Sequence, residues 1–290
     1  EVHCSLGLAF QEMGKLEEAV ASYQKAIAVK SDYVGAHYNL GNALLKLGRL
    51  DDALVPYRKA LTIEPNYAEA HNNLGTTLQE RGKLDEAVAC YQKAIAIKPD
   101  FAMAHNNLGT ALTELRKPDE ALIHHHKAID IQPDIAKAQY NLGNTLKDLG
   151  KLDEAVAGYQ KALVFEPNLA EAYSNLGVVL QKQGKLDEAV ASYHKAINIK
   201  PDYSDAFNNM WLSLQPMCHG IITNQRDVSS IEQIIDSLPT RPEPDILRLQ
   251  LKSLTGGNTQ EAWNSVVRNL LTTQSETIFK SKKITPPSAT

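Results

Sequence analysis

Asparagine returns at a fixed interval in this chain: Asn39, Asn73, Asn107, Asn141, Asn175 and Asn209 stand 34 residues apart. Asn72, Asn106 and Asn208 directly precede three of them, and Asn42, Thr76, Thr110 and Asn144 follow three residues after four of them. An amide side chain carries two donors and an acceptor, so a row of amides can hydrogen-bond the backbone of an extended peptide whatever its sequence. The competing reading is that these amides bond across to neighbouring helices, or were simply copied with the segment that bears them. Their uniformity exceeds that of solvent-facing places in the same segment, where Gln, Leu, Thr, Lys, Glu and Asp alternate. The expectation is therefore a peptide-binding surface made of Asn39, Asn42, Asn72, Asn73, Thr76, Asn106, Asn107, Thr110, Asn141, Asn144, Asn175 and Asn209.

The remaining reactive side chains point to no reaction. Of the nine histidines, His3, His37, His71 and His105 are also 34 residues apart, too far to converge on one metal at about 2.1 Å, so packing is their expected role. His124, His125 and His126 are consecutive, and consecutive helical residues point about 100° apart. That turns His125 inward and the outer two toward solvent. Cys4, Cys90 and Cys218 show no CxxC spacing, which argues against a disulfide framework or a zinc site and for a reducing, cytoplasmic setting. No nucleophile elbow, zinc-protease helix or phosphate-cradling loop occurs. The acidic pairs Asp51-Asp52, Asp85-Glu86, Asp153-Glu154 and Asp187-Glu188 suit helix N-termini. No catalytic residue, metal or cofactor is expected.

The elements that must position the asparagines follow from the same period. Gly7, Gly41, Gly75, Gly109, Gly143 and Gly177 recur every 34 residues, and self-similarity at that spacing marks a solenoid whose units contact mainly their neighbours. With this glycine as position 8, Leu40, Leu74, Leu108, Leu142 and Leu176 hold position 7, and Leu44, Leu78, Leu112, Leu146 and Leu180 hold position 11. Positions 4, 7, 8 and 11 share one helical face, while positions 2, 5, 6, 9, 12 and 13, the asparagines among them, share the other. A turn such as Gly48-Arg49-Leu50-Asp51 leads into a second helix. That helix buries alanines at position 20 (Ala53, Ala87, Ala121, Ala155, Ala189), expected to face the glycine, together with Tyr57, Tyr91, Tyr159 and Tyr193 at position 24. Pro65, Pro99, Pro133, Pro167 and Pro201 at position 32 end it. Each unit is a helical hairpin.

In residues 68–99 the places 7, 8, 20, 24, 27 and 32 hold Leu74, Gly75, Ala87, Tyr91, Ala94 and Pro99, a set that resembles the tetratricopeptide repeat family. The resemblance covers residues 1–215. It implies an all-α fold, a right-handed superhelix of helical hairpins whose asparagine-bearing face lines a concave channel. The wording is most similar to the arrays ahead of O-linked N-acetylglucosamine transferases, where such an asparagine ladder is implied to hold peptide. Family members that clamp chaperone carboxylates need Lys at position 5, and here position 5 is never Lys or Arg. The function implied is a non-catalytic protein-interaction scaffold with a protein or peptide partner. The alternative is the substrate-recognition arm of a larger glycosyltransferase or sulfotransferase.

Departures from the pattern set the boundaries. Leu115-Arg116-Lys117-Pro118 puts Arg where the turn glycine belongs, which predicts a changed turn, and Ser31 replaces the stop proline. Trp211 occupies the glycine place of a seventh unit, where the regular stack is expected to end. Residues 216–226 read as a linker within a divergent helical cap over 216–273, and 274–290 as a flexible tail. The first unit begins partway through its first helix, and an apolar end there would allow self-association. A net charge of −4 with interspersed signs offers no field for nucleic acid or a membrane surface. No apolar run reaches the roughly 18 residues that insertion in a membrane requires.

Overall fold

The computed structural model describes residues 1–221, and every regular element in that stretch is an α-helix. Five hairpins follow one another: α1 (Val2–Glu12) with α2 (Leu16–Val29), α3 (Val34–Lys46) with α4 (Leu50–Ile63), α5 (Ala68–Glu80) with α6 (Leu84–Ile97), α7 (Ala102–Glu114) with α8 (Pro118–Ile131), and α9 (Ala136–Asp148) with α10 (Leu152–Phe165). Helix α11 (Ala170–Lys182) completes a compact body spanning residues 1–185. A second body begins at Leu186 and contains α12 (Leu186–Ile199) packed on α13 (Ser204–Ile221). Within the first body each helix packs on the one before and the one after, with the tightest association inside a hairpin. The expected all-α repeat of helical hairpins is the observed fold.

Local chemistry explains where the helices start and stop. Each even-numbered helix has two acidic residues in its first turn, from Glu17 and Glu18 in α2 to Asp187 and Glu188 in α12. They complement the positive helix N-terminus in place of a side-chain cap. Each odd-numbered helix of the first body closes in a paired turn. In the third unit Gly82 N–H donates to the Gln79 carbonyl at 2.8 Å and Lys83 N–H donates to the Leu78 carbonyl at 2.9 Å. That motif needs a left-handed residue, and Gly82 supplies it with φ 74°.

The fourth unit differs from the expectation. Arg116 adopts φ 61°, and Arg116 N–H and Lys117 N–H donate to the Thr113 and Leu112 carbonyls at 3.0 and 2.9 Å, as in the glycine turns. The turn keeps its geometry and the arginine bears the strain, because two backbone hydrogen bonds outweigh a left-handed penalty of about 1 kcal/mol. Ser31 likewise makes no difference: α2 ends at Val29 with Lys30 extended, as α8 ends at Ile131 with Gln132 extended.

Two further expectations are corrected. The nearest neighbour of the position-8 glycine is the position-24 ring, and the alanine at position 20 is fully buried in the same hairpin. A Cβ on Gly41 or Gly75 would lie 2.6 or 2.7 Å from the nearest carbon of Tyr57 or Tyr91, and one on Gly109 would lie 2.7 Å from His125. The glycine is an indentation that accepts a ring, and those tyrosines are fully buried. Helix α13 also continues past position 211 to Ile221, so residues 216–221 of the expected linker are helical. A proline removes one helical hydrogen bond without necessarily ending the helix, as Pro56 does inside α4. The rest of the expected cap and the tail lie outside the described residues.

Candidate binding surface

The asparagines of the first body form a bonded ladder between units. Asn73 Nδ2 donates to Tyr38 Oη at 3.1 Å and to Asn42 Oδ1 at 2.8 Å, both on the preceding odd-numbered helix. Asn175 does the same at a later junction, donating to Tyr140 Oη at 3.0 Å and Asn144 Oδ1 at 2.9 Å. Asn107 donates to Asn72 Oδ1 at 3.0 Å, and Asn141 donates to Asn106 Oδ1 and Thr110 Oγ1, both at 3.1 Å. At the first junction Asn39 Nδ2 meets only Cys4 Sγ, at 3.9 Å, a weak acceptor. Position 6 is thus a donor aimed backwards by one unit, toward positions 5 and 9.

The acceptors come in two matched sets. Where position 9 is Asn, position 5 is Tyr (Tyr38 with Asn42, Tyr140 with Asn144); where position 9 is Thr, position 5 is Asn (Asn72 with Thr76, Asn106 with Thr110). The position-24 tyrosines tie the ladder to the hairpin. Tyr57 Oη and Tyr159 Oη each donate to the position-9 asparagine at 2.7 Å, while Tyr91 Oη donates to Gln79 Oε1 at 2.8 Å. Burial pushes the hydroxyls of Tyr57, Tyr91 and Tyr159 far above their usual ionisation range, so they act as neutral donors.

This placement sorts the expected site residues. Asn72 and Asn106 are buried, whereas Asn39, Asn42, Asn73, Thr76, Asn107, Thr110, Asn141, Asn144 and Asn175 are half-buried on one face of the odd-numbered helices. Asn209 is half-buried on α13 in the second body. The amide hydrogens of Asn73, Asn141 and Asn175 are engaged within the protein. The bonding between neighbouring helices is therefore real, and it occupies the side-chain oxygens of Asn42, Asn72, Asn73, Asn106 and Asn144 as well. The position-24 hydroxyls of Tyr57 and Tyr159, which the sequence pattern assigns only to the buried stripe, are further members of the ladder.

A second column, on the buried side, is made of histidines. The Nε2–H groups of His37, His71 and His105 donate to the carbonyls of Ser31, Pro65 and Pro99 at 2.9, 3.0 and 3.1 Å. Each fastens a first helix to the end of the preceding hairpin, so these residues do more than pack. His71 Nδ1 is left buried without a partner, beside a groove of about 590 Å³ lined by Arg58, Leu61, Cys90, Lys93 and Ile97. In the fourth unit the same Nδ1 is satisfied: His105 Nδ1 and His124 Nδ1 are 3.1 Å apart. His105 spends its proton on Pro99, so His124 is the donor in that pair. His124 was expected in solvent with His126, yet it is half-buried, because His105 on α7 covers that side of α8. His125 takes the tyrosine place, is fully buried, and has no hydrogen-bond partner on either nitrogen. Burial holds its ionisation down to about 4, helped by the flanking His124 and His126.

Among the described residues no group of three or more His, Cys, Asp or Glu side chains could hold a metal ion. No described helix is long and apolar enough to cross a membrane. The geometry defines an array of helical hairpins joined by a polar ladder, and that class has a family.

Models of the TPR repeat match residues 7–48, 41–80, 77–115 and 143–184, and models of the tetratricopeptide repeat match 102–132 and 170–203. The chain belongs to the tetratricopeptide repeat family. It is similar to the crystal structure of YrrB, described as a TPR protein with an unusual peptide-binding site, with 27% identity and a TM-score of 0.51 over 64% of this chain and 96% of that one. It is also similar to a thermophilic TPR protein of Thermus thermophilus, TTC0263, with 28% identity and a TM-score of 0.54 over 62% and 98% of the two chains. PilW, a type IV pilus biogenesis factor, shares the fold at 21% identity and a TM-score of 0.66 over 71% and 96%. Comparison with curated proteins gives no match. Repeats of this family make protein-interaction scaffolds, and the described helices are built as one.

Proposed function

We propose that the chain binds an extended segment of a protein partner along the asparagine face of its odd-numbered helices, without catalysing a reaction. The observation that carries this reading is the set of half-buried asparagines Asn107, Asn141 and Asn175, whose amide hydrogens point into the stack and leave the Oδ1 atoms as their remaining polar groups. Fixed carbonyl oxygens at one-unit intervals suit backbone N–H groups, which every residue but proline offers. Recognition of this kind follows backbone shape more than side-chain sequence.

An array of immobilised synthetic peptides, followed by amide hydrogen exchange of the protein with the best binder, tests the reading. New protection on α5, α7 and α9, and loss of binding when the peptide backbone is N-methylated, are expected. Protection confined to α6, α8 and α10 would overturn it.

A further inference from the structure

The histidines of the fourth unit do not share the ladder's role. His125 is sealed in the hairpin with both nitrogens unpartnered, and in the same hairpin His105 and His124 meet nitrogen to nitrogen at 3.1 Å. The pair can hold one proton between its facing atoms but not two, and His125 has no group waiting to receive a charge. At position 24 the other five units have Tyr23, Tyr57, Tyr91, Tyr159 and Tyr193, which do not titrate near neutrality. The same unit is the one whose turn lacks glycine and sets Arg116 at φ 61°. The strained turn residue and the titratable groups therefore fall in one unit.

We infer that the α7–α8 hairpin is an acid-opened hinge, closed while His105, His124 and His125 are neutral and released when they take up protons. The charged surroundings do not offset this. On α8, Glu120 favours protonation of His124, while Lys127 opposes that of His105. The packed helices α6, α7 and α9 carry Asp85, Glu86, Lys93, Glu114, Lys137, Lys147 and Asp148, and none of them shifts these imidazoles. The sign is fixed by burial: each ring's folded value lies below that of the free side chain. Stability is thus complete above the unfolded value near 6.5 and is lost as pH falls toward the folded value, about 4 for His125. From about pH 7 to about pH 5, His125 alone raises the opening constant about 20-fold. Opening α7 would sever the bonds of Asn107 to Asn72 and of Asn141 to Asn106 and Thr110, dividing the ladder at its middle.

Hydrogen exchange of the full chain at these two pH values, corrected for intrinsic rates, tests the hinge without any ligand, so its failure is separate from failure of the peptide reading. The expected result is a loss of protection in α7 and α8 about 20-fold greater than in α3–α6. A double variant, His105→Gln with His125→Tyr, installs the residue types that the fifth unit has as Gln139 and Tyr159 and should abolish the difference. An equal loss in every hairpin, or an excess in α7 and α8 that persists in the double variant, would overturn the hinge.

Discussion

Replacing Asn141 by Ala removes two hydrogen bonds across one junction, those to Asn106 Oδ1 and Thr110 Oγ1 at 3.1 Å each. A neutral hydrogen bond contributes about 1 kcal/mol net, and orphaning a buried acceptor costs about 1–3 kcal/mol. Asn106 is only 3% exposed, so water cannot replace the lost amide at its oxygen. Thr110 keeps its bond to the Asn106 carbonyl at 3.0 Å and adds little to the loss. Alanine returns about 0.5 kcal/mol of helix propensity, leaving a destabilisation of about 2 kcal/mol. The control is Asn39→Ala at the equivalent place, where the amide meets only a sulfur at 3.9 Å; its cost should stay below about 0.5 kcal/mol. Urea unfolding followed by circular dichroism measures both, with hydrogen exchange across α7 and α9 to localise the loss, since repeat arrays need not unfold in one step. Equal losses in the two variants, or a loss below about 0.5 kcal/mol for Asn141→Ala, would refute a structural role for the ladder. The result also governs how a binding defect in such a variant is read, because the oxygen proposed to meet a peptide and the stacking donor disappear together.

Arg116→Gly should stabilise the chain by about 1 kcal/mol, seen as a higher urea midpoint, because the turn already has glycine geometry at φ 61°. Gly75→Ala places a Cβ 2.7 Å from the Tyr91 ring and should cost about 1–3 kcal/mol in the same assay. Cys90→His sets an imidazole at the place that His124 holds in the next unit, beside His71 Nδ1. It should raise the thermal midpoint by satisfying a buried acceptor worth about 1 kcal/mol, and the gain should vanish in a His71→Gln background.

The hairpin, its glycine, its leucine stripe and its proline stop were all legible, because a 34-residue period repeats the glycine six times and the leucines and proline five times. What the helical wheel could not supply was the offset between units. It places Asn73 on the polar face of α5, but only the stack shows that the amide reaches back to Tyr38 and Asn42. A different limit hid the environment of His124: the wheel of α8 alone cannot show its hairpin partner α7, whose His105 covers that side. Arg116 misled for a different reason. A residue type argues about its own preferred conformation, whereas here the hydrogen bonds to Thr113 and Leu112 dictate it.

The pairing of positions 5 and 9 bears on how such a chain can change length. In the interior of the first body, each junction is made from a donor supplied by one hairpin, always Asn, and a receiver supplied wholly by the hairpin before it: a Tyr with an Asn (Tyr38 with Asn42, Tyr140 with Asn144), Asn106 with Thr110, or Asn72 alone. Plug and socket are therefore inherited on separate modules, and any plug fits any of these sockets. Whole units can be duplicated, deleted or exchanged without leaving an unmatched partner, whereas a change at position 5 alters the socket that the next unit's asparagine meets. The ladder makes the hairpin the unit of heritable variation, and it keeps the number of rungs free to drift.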